Sequence, residues 1–214
     1  MTPQDRCPLC ESAAIGWHAR TLDRDYLHCR ICDLAWMSPE HWLDRDAERA
    51  YYSTHENSPS DSSYRRFLSR LAAPLMARLP ARARGLDYGS GPGPTLSVML
   101  EEQGFPTAVY DPYFSPDTRV LDTRYDFVTC SETAEHFHAP GLEFARLRGL
   151  LKPGGRLGLM TGFRPELPVF ARWHYLRDPT HICLYSRRSL AWIGDRFDWS
   201  LEIPAENVAI FRTH

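Results

Sequence analysis

The chain has 214 residues, enough for one full hydrophobic core and a small satellite module, with 43% apolar and 24% charged residues. A formal net charge of −2 excludes a global positive field that would draw the chain to nucleic acid or to an anionic membrane. No apolar run approaches the ~20 residues that span a bilayer. The first residues, MTPQDRCPLC, lack the basic-then-apolar profile of a secretory signal, so a reducing cytoplasm is the expected setting.

The first feature along the chain is a pair of knuckles, Cys7-Pro-Leu-Cys10 and Cys29-Arg-Ile-Cys32, separated by eighteen residues. This spacing is that of a zinc ribbon. Each knuckle turns tightly enough for two thiolates to reach one ion, and four thiolates fill a tetrahedral shell with no position left for water. The expected metal is therefore a structural Zn2+ held by Cys7, Cys10, Cys29 and Cys32; disulfides or unrelated thiols are the alternative. Cys130 and Cys183 stand alone in apolar company and read as core thiols. The ribbon is expected over residues 1–37.

Residues 38–63 are rich in Ser, Pro, Asp and His and read as a connecting segment with some helix. Residues 64–79 place Phe67, Leu68, Leu71, Leu75 and Leu79 at helical spacing, with Pro74 as a bend. Strands are then expected at 85–87, 107–111, near Val120, at 126–131 and at 156–161. Helices are expected at 95–103 and 141–151, with a Lys152-Pro-Gly-Gly155 turn before the fifth strand. A helix over 187–197 and two closing strands, 198–203 and 207–212, complete the chain. Alternating strands and helices predict a doubly wound, mostly parallel α/β sheet over 64–214.

The stretch LDYGSGPGPTLSVML carries the strongest chemical signal. A strand leads into Asp87, and Gly89, Gly91 and Gly93 follow at alternate positions before a helix opens. Such a turn lets a ligand approach backbone that side chains would otherwise shield. Asp111 ends the next apolar run, where an acidic residue on the neighbouring strand binds ribose hydroxyls in dinucleotide enzymes.

Four elements in this order, LDYGSGPG, VYDPYF, YDFVTCSETAEHF and LLKPGGRLGLMTG, resemble class I S-adenosylmethionine-dependent methyltransferases over residues 64–214. With the ribbon and the RDPTHICLYS segment, the chain resembles a bacterial zinc-ribbon group of the methyltransferase-23 type. The resemblance implies a Rossmann-like sheet of seven strands with a final antiparallel insertion. It also implies binding of S-adenosylmethionine or S-adenosylhomocysteine by Asp87, Gly89, Ser90, Gly91, Gly93, Asp111, Pro112 and Ser131, with Asp122 or the 116–117 pair as adenine contacts.

Ligands in open parallel sheets gather beyond the carboxyl ends of the strands, which draws attention to Glu132 and His136. Glu132 reads as a substrate ligand, a base or a helix cap. Segment 170–186, FARWHYLRDPTHICLYS, is long, irregular and rich in aromatics, and segments of this kind tend to carry function. It supplies Trp173, Tyr175 and Asp178 as expected acceptor contacts and His181 as first choice of general base, ahead of His136, with Glu132 orienting either. The expected reaction is in-line methyl transfer to a small-molecule acceptor. The alternatives are a cofactor-binding protein whose ribbon docks a protein or RNA partner, and an RNA methyltransferase guided by the ribbon.

Overall fold

Short strands at the N-terminus form a tight meander. In the computed structural model, which describes residues 5–54 and 57–214, β1 (Ile15–Thr21) and β2 (Arg24–Cys29) pair antiparallel, with Thr21 opposite Arg24. Leu22 and Asp23 close this hairpin with φ of 51° and 56°, the left-handed pair that matches the twist of a two-residue turn. β3 (Ala35–Met37) follows and pairs with β2. The remainder of the chain supplies α1 (Arg45–Tyr52), α2 (Ser62–Met76), β4 (Gly85–Tyr88), α3 (Thr95–Glu102), β5 (Thr107–Tyr110), β6 (Tyr125–Ser131), α4 (Pro140–Gly149) and β7 (Leu151–Met160). Then come α5 (Leu167–Phe170), β8 (Cys183–Leu184), α6 (Arg187–Phe197), β9 (Trp199–Ala205) and β10 (Val208–Thr213).

The central sheet has the order β5-β4-β6-β7-β10-β9. Its first four strands are parallel, and β10 runs antiparallel to both β7 and β9. The register between β6 and β7 slips from Tyr125 opposite Leu151 to Phe127 opposite Arg156, so Lys152-Pro-Gly-Gly155 bulges out of the ladder.

Among the described residues this sheet has six strands, not the seven expected. The strand expected near Val120 is a 3-10 turn, Thr118–Asp122, capped by Asp117. Between Asp111 and β6 the chain must form a turn bridged from Asp111 to Ser115 and then this capped segment. A parallel crossover takes a dozen or more residues, and this interval already carries one, from β5 to β6 on the far side of β4, so no chain is left for a further strand and its own crossover. Pro74, expected to bend its helix, lies in the last turn of α2 without ending it.

Alternate residues of the central strands face opposite layers. Phe127 and Met160 meet Leu68, Leu71 and Leu75 of α2 and Leu96 and Leu100 of α3. Val128, Cys130, Leu157 and Leu159 face Phe144 and Leu147 of α4 and Leu190 and Ile193 of α6. Tyr26, Leu34 and Trp36 of the N-terminal meander belong to that second cluster and are fully buried in it. Moreover, β8 joins the meander and not the central sheet, pairing antiparallel with β3, Ala35 opposite Leu184 and Trp36 opposite Cys183. The meander is thus packed and hydrogen-bonded onto the rest of the chain.

Candidate active site

A cavity of about 800 Å3 opens beyond the carboxyl ends of β4, β5 and β6. Its cofactor end is built by the glycine turn. Gly89 has φ +78°, and a Cβ there would lie 2.1 Å from Thr133 Cγ2, so both conformation and space call for glycine. Gly89, Ser90 and Gly91 line the cavity with Asp111, Pro112, Tyr113 and Phe114. Asp111 holds the turn together: Oδ2 accepts from the Gly91 amide at 2.9 Å, and Oδ1 accepts from the amides of Tyr113 and Phe114 at 2.8 and 3.0 Å.

Two residues expected to touch the cofactor do not line the cavity. Asp87 is 3% exposed and accepts from Thr129 Oγ1 at 2.7 Å. Burial raises its pKa to about 6, with Asp111 contributing in the same direction. It braces the strand end beneath the turn because its carboxylate lies within the layer between β4 and α3. Gly93 is taken up by another approach: a Cβ there would lie 2.0 Å from the Asn57 carbonyl oxygen, which in turn accepts from Thr95 Oγ1 at 2.9 Å. Asn57 lines the cavity, so the connecting segment crosses the glycine turn here. His55 and Glu56 of the same segment, and residues 1–4, lie outside the described residues. Asp117 and Asp122, considered as adenine contacts, are away from the cavity; Asp117 instead pairs with Arg119 at 2.7 Å.

The other end of the cavity follows β6. Ser131, Glu132 and His136 line it, joined by Tyr175, Asp178 and His181 from the segment after α5. Glu132 takes φ +46°, a left-handed conformation unusual for a residue with a side chain, at the point where the strand ends. Burial, then the neighbouring Glu135, holds its carboxyl well above the ordinary range. The Tyr175 hydroxyl donates to Glu135 Oε1 and lies 3.4 Å from Glu132 Oε2.

His181 Nδ1 lies 2.8 Å from the Tyr175 carbonyl, and His136 Nδ1 lies 2.9 Å from the Thr180 carbonyl. A carbonyl can only accept, so both Nδ1 atoms carry a proton, and Nε2 is the nitrogen that bears the lone pair in the neutral form of either ring. Burial lowers the pKa of His181 below its ordinary value, which favours that neutral form. Asp178 Oδ2 lies 3.6 Å from His181 Nε2. Trp173 stacks behind Tyr175 at 4.8 Å and 25°, against Gly162, and does not line the cavity.

Several lining residues had no sequence signal. Tyr88 donates to Glu143 Oε2 at 2.5 Å and accepts from Arg146 at 3.1 Å, forming a polar wall with α4. Glu48 of α1 accepts from Tyr52 at 3.0 Å and from Tyr113 at 2.7 Å, which ties the connecting helix to the turn after β5. The only available signal was the i,i+4 spacing of Glu48 and Tyr52, which by itself says nothing of where the helix packs.

The four knuckle thiols converge at the meander's edge. Their sulfur atoms all lie within 4.8 Å of one another, with Cys7–Cys32 at 3.4 Å and Cys10–Cys29 at 3.5 Å. A tetrahedral zinc with bonds of about 2.3 Å would set its sulfurs about 3.8 Å apart, so the donor set fits. The thiols also contend for protons. The hydrogen bond from Cys32 draws Cys7 down to about 6, while burial pushes Cys10 up to about 12. A divalent cation would take the place of those shared protons.

A parallel sheet with a glycine turn on one strand end, an acidic residue on the next and a cavity over both is the doubly wound, Rossmann-like arrangement for a nucleoside ligand. The family model Methyltransf_23, described as a methyltransferase domain, matches residues 60–202, and the chain belongs to that family. A ubiquinone biosynthesis O-methyltransferase of Serratia proteamaculans is 32% identical over 91 residues, which cover 42% of this chain and 38% of that relative. The match therefore spans well under half of the relative's length. The crystal structure of 1,6-didemethyltoxoflavin-N1-methyltransferase of Burkholderia thailandensis, with 1,6-didemethyltoxoflavin and S-adenosylhomocysteine bound, has TM-score 0.50 at 19% identity, over 92% of this chain and 98% of that one. An O-methyltransferase family protein of Burkholderia thailandensis has TM-score 0.56 at 16% identity, over 79% and 59%. These two likenesses concern the fold. Among the described residues, no helix is long and apolar enough to cross a membrane.

Proposed function

We propose that the chain transfers a methyl group from S-adenosylmethionine to an oxygen of a small-molecule acceptor, with a structural Zn2+ on Cys7, Cys10, Cys29 and Cys32. The observation that carries this reading is that one cavity joins the glycine turn to two imidazoles whose Nδ1–H groups are held by backbone carbonyls. The turn amides, Ser90, Ser131 and Asp111 hold the cofactor, and Asp111 exchanges part of its backbone bonding for ribose hydroxyls. Tyr113 and Phe114 offer the flat apolar faces that an adenine ring requires, in place of the acidic contacts expected from sequence. Oxygen as acceptor atom is suggested by the O-methyltransferase relative.

The sulfonium supplies the reactivity, so the protein's task is to hold the acceptor on axis and manage its proton. His181 offers an unprotonated Nε2 for that proton, and Asp178 steadies the imidazolium that results. Tyr175 and Glu132 form the floor beside it. Calorimetry with S-adenosylhomocysteine, followed by mass-spectrometric assay of a panel of phenols and hydroxy acids, tests the reading. Binding of the nucleoside with a +14 Da product is expected; absence of nucleoside binding would overturn it. His181→Ala is expected to cut turnover by ~10²–10⁴ with nucleoside affinity retained.

A further inference from the structure

Glu135 is fully buried, and its Oε2 has no hydrogen-bond partner. An ionisable group in that position calls for a compensating partner. Its Oε1 is taken by Tyr175. One carboxylate oxygen of Glu135, one ring nitrogen of His136 and one of His181 all lie within 4.8 Å of one another. Both rings are fixed by Nδ1–H bonds to backbone carbonyls, which aim the lone pairs on Nε2 away from those carbonyls. Donation of the second ring nitrogen to a carbonyl is what orients histidines that ligate metals.

We infer that Glu135, His136 and His181 form a second metal site, a two-histidine, one-carboxylate set for a divalent first-row cation at the acceptor end of the cavity. Imidazole and carboxylate together suit Mn2+, Fe2+, Co2+ or Zn2+, and three protein ligands leave coordination positions open. His136 and His181 line the cavity, so those open positions face an acceptor. Glu132 lines the same cavity, with Oε2 3.4 Å from the Tyr175 hydroxyl that also bonds Glu135, and adds a second carboxylate. A cation there would relieve the proximity of the two carboxylates.

The site deepens the reading of methyl transfer to oxygen and rests on it for its chemistry, though not for its existence. An acceptor hydroxyl bound to the cation is acidified and gives its proton to solvent. The oxygen pair then forms the C–O bond as the methyl C–S bond breaks, and that bond's electrons remain on sulfur as the neutral thioether. The histidines would act through the cation, in place of direct proton abstraction by His181.

Mn2+ tests the site, because it is paramagnetic and avoids the thiolate knuckles, which prefer softer ions. The full chain, zinc-loaded and reduced, is titrated with Mn2+ and followed by electron paramagnetic resonance. Electron spin echo spectra are collected on the bound ion, and S-adenosylhomocysteine affinity is measured on the same sample. One equivalent of bound Mn2+ coupled to two imidazole nitrogens is expected, with affinity falling at least about tenfold in Glu135→Gln. Failure to retain Mn2+ at millimolar concentration, or bound Mn2+ without nitrogen coupling, overturns the site. Should Glu135→Gln fail to fold, the nitrogen coupling in the unsubstituted protein decides. Retained Mn2+ with no nucleoside binding would leave the site standing and remove the methyl-transfer reading instead.

Discussion

The backbone amide of Ile182 donates to the carbonyl of Glu135 at 2.8 Å, while the Ile182 carbonyl accepts from Met37 at 2.8 Å. One residue thereby links the turn after β6 to the last strand of the cysteine meander. Cys183 adds a thiol bond to the Phe137 carbonyl at 3.1 Å, and Arg24 reaches the Leu176 carbonyl at 3.0 Å. The segment that carries His181 is held between the cysteine meander and the central sheet, so its order depends on both.

Zinc removal is accordingly expected to act at a distance. Elemental analysis should find one tightly held zinc per chain in reduced protein. Cys10→Ser or chelation should raise hydrogen exchange not only in residues 7–37 but also in 174–184, because β3 is the pairing partner of β8. Exchange confined to the ribbon would show that β8 is anchored by the sheet alone.

Asp111→Ala is expected to weaken S-adenosylhomocysteine binding by about 1.5–3 kcal/mol, the scale of hydrogen bonds to a charged group. Part of that loss comes through the Gly91 amide, which Asp111 Oδ2 holds at 2.9 Å. Asp111→Asn keeps the shape and should fall between the wild type and Ala. Calorimetry on the three proteins gives the order.

Gly93→Ala places a methyl group 2.0 Å from the Asn57 carbonyl oxygen, a backbone atom that cannot rotate away. Strain of about 1–3 kcal/mol is expected, relieved by displacement of the segment that crosses the glycine turn. Urea unfolding should register lower stability. Proteolysis within 53–61 should become faster in the folded protein.

Asp87 supplies a pH dependence whose sign can be worked out. Its folded pKa of about 6 exceeds the ordinary 3.8 because burial penalises the charge, so between those values the native state binds the extra proton. Stability from this group is complete below the unfolded pKa and is lost as pH rises through about 6, amounting to about 3 kcal/mol. Asp87→Asn removes that loss. Denaturation of both proteins from pH 4 to 7 should give a difference that grows in favour of the variant and levels off above pH 6 to 7. A flat difference would mean that Asp87 titrates normally.

The legible parts of this protein were those governed by local rules. Strand, glycine turn and helix start around Asp87, the knuckle spacing of Cys7 to Cys32 and the capped helix from Arg187 to Phe197 each follow from neighbours within a few residues, where dihedral preference and hydrophobic period suffice. Asp111 and His181, both of which line the cavity, were marked by a motif and by an aromatic-rich segment. The sequence alone therefore determined the fold class, the position of the glycine turn and the grouping of four thiols. Tertiary structure decided the rest. It turned Asp87 inward, since the alternation of a short strand does not say which layer closes over it. It filled the space beside Gly93 with a backbone carbonyl from thirty-six residues earlier, and replaced an expected strand at Val120 by a 3-10 turn for want of chain. Glu48 gained Tyr113, and Glu135 gained Tyr175, only when distant segments met over them. Those meetings depend on which apolar faces pack together, a choice made by the whole core and written in no single stretch of it.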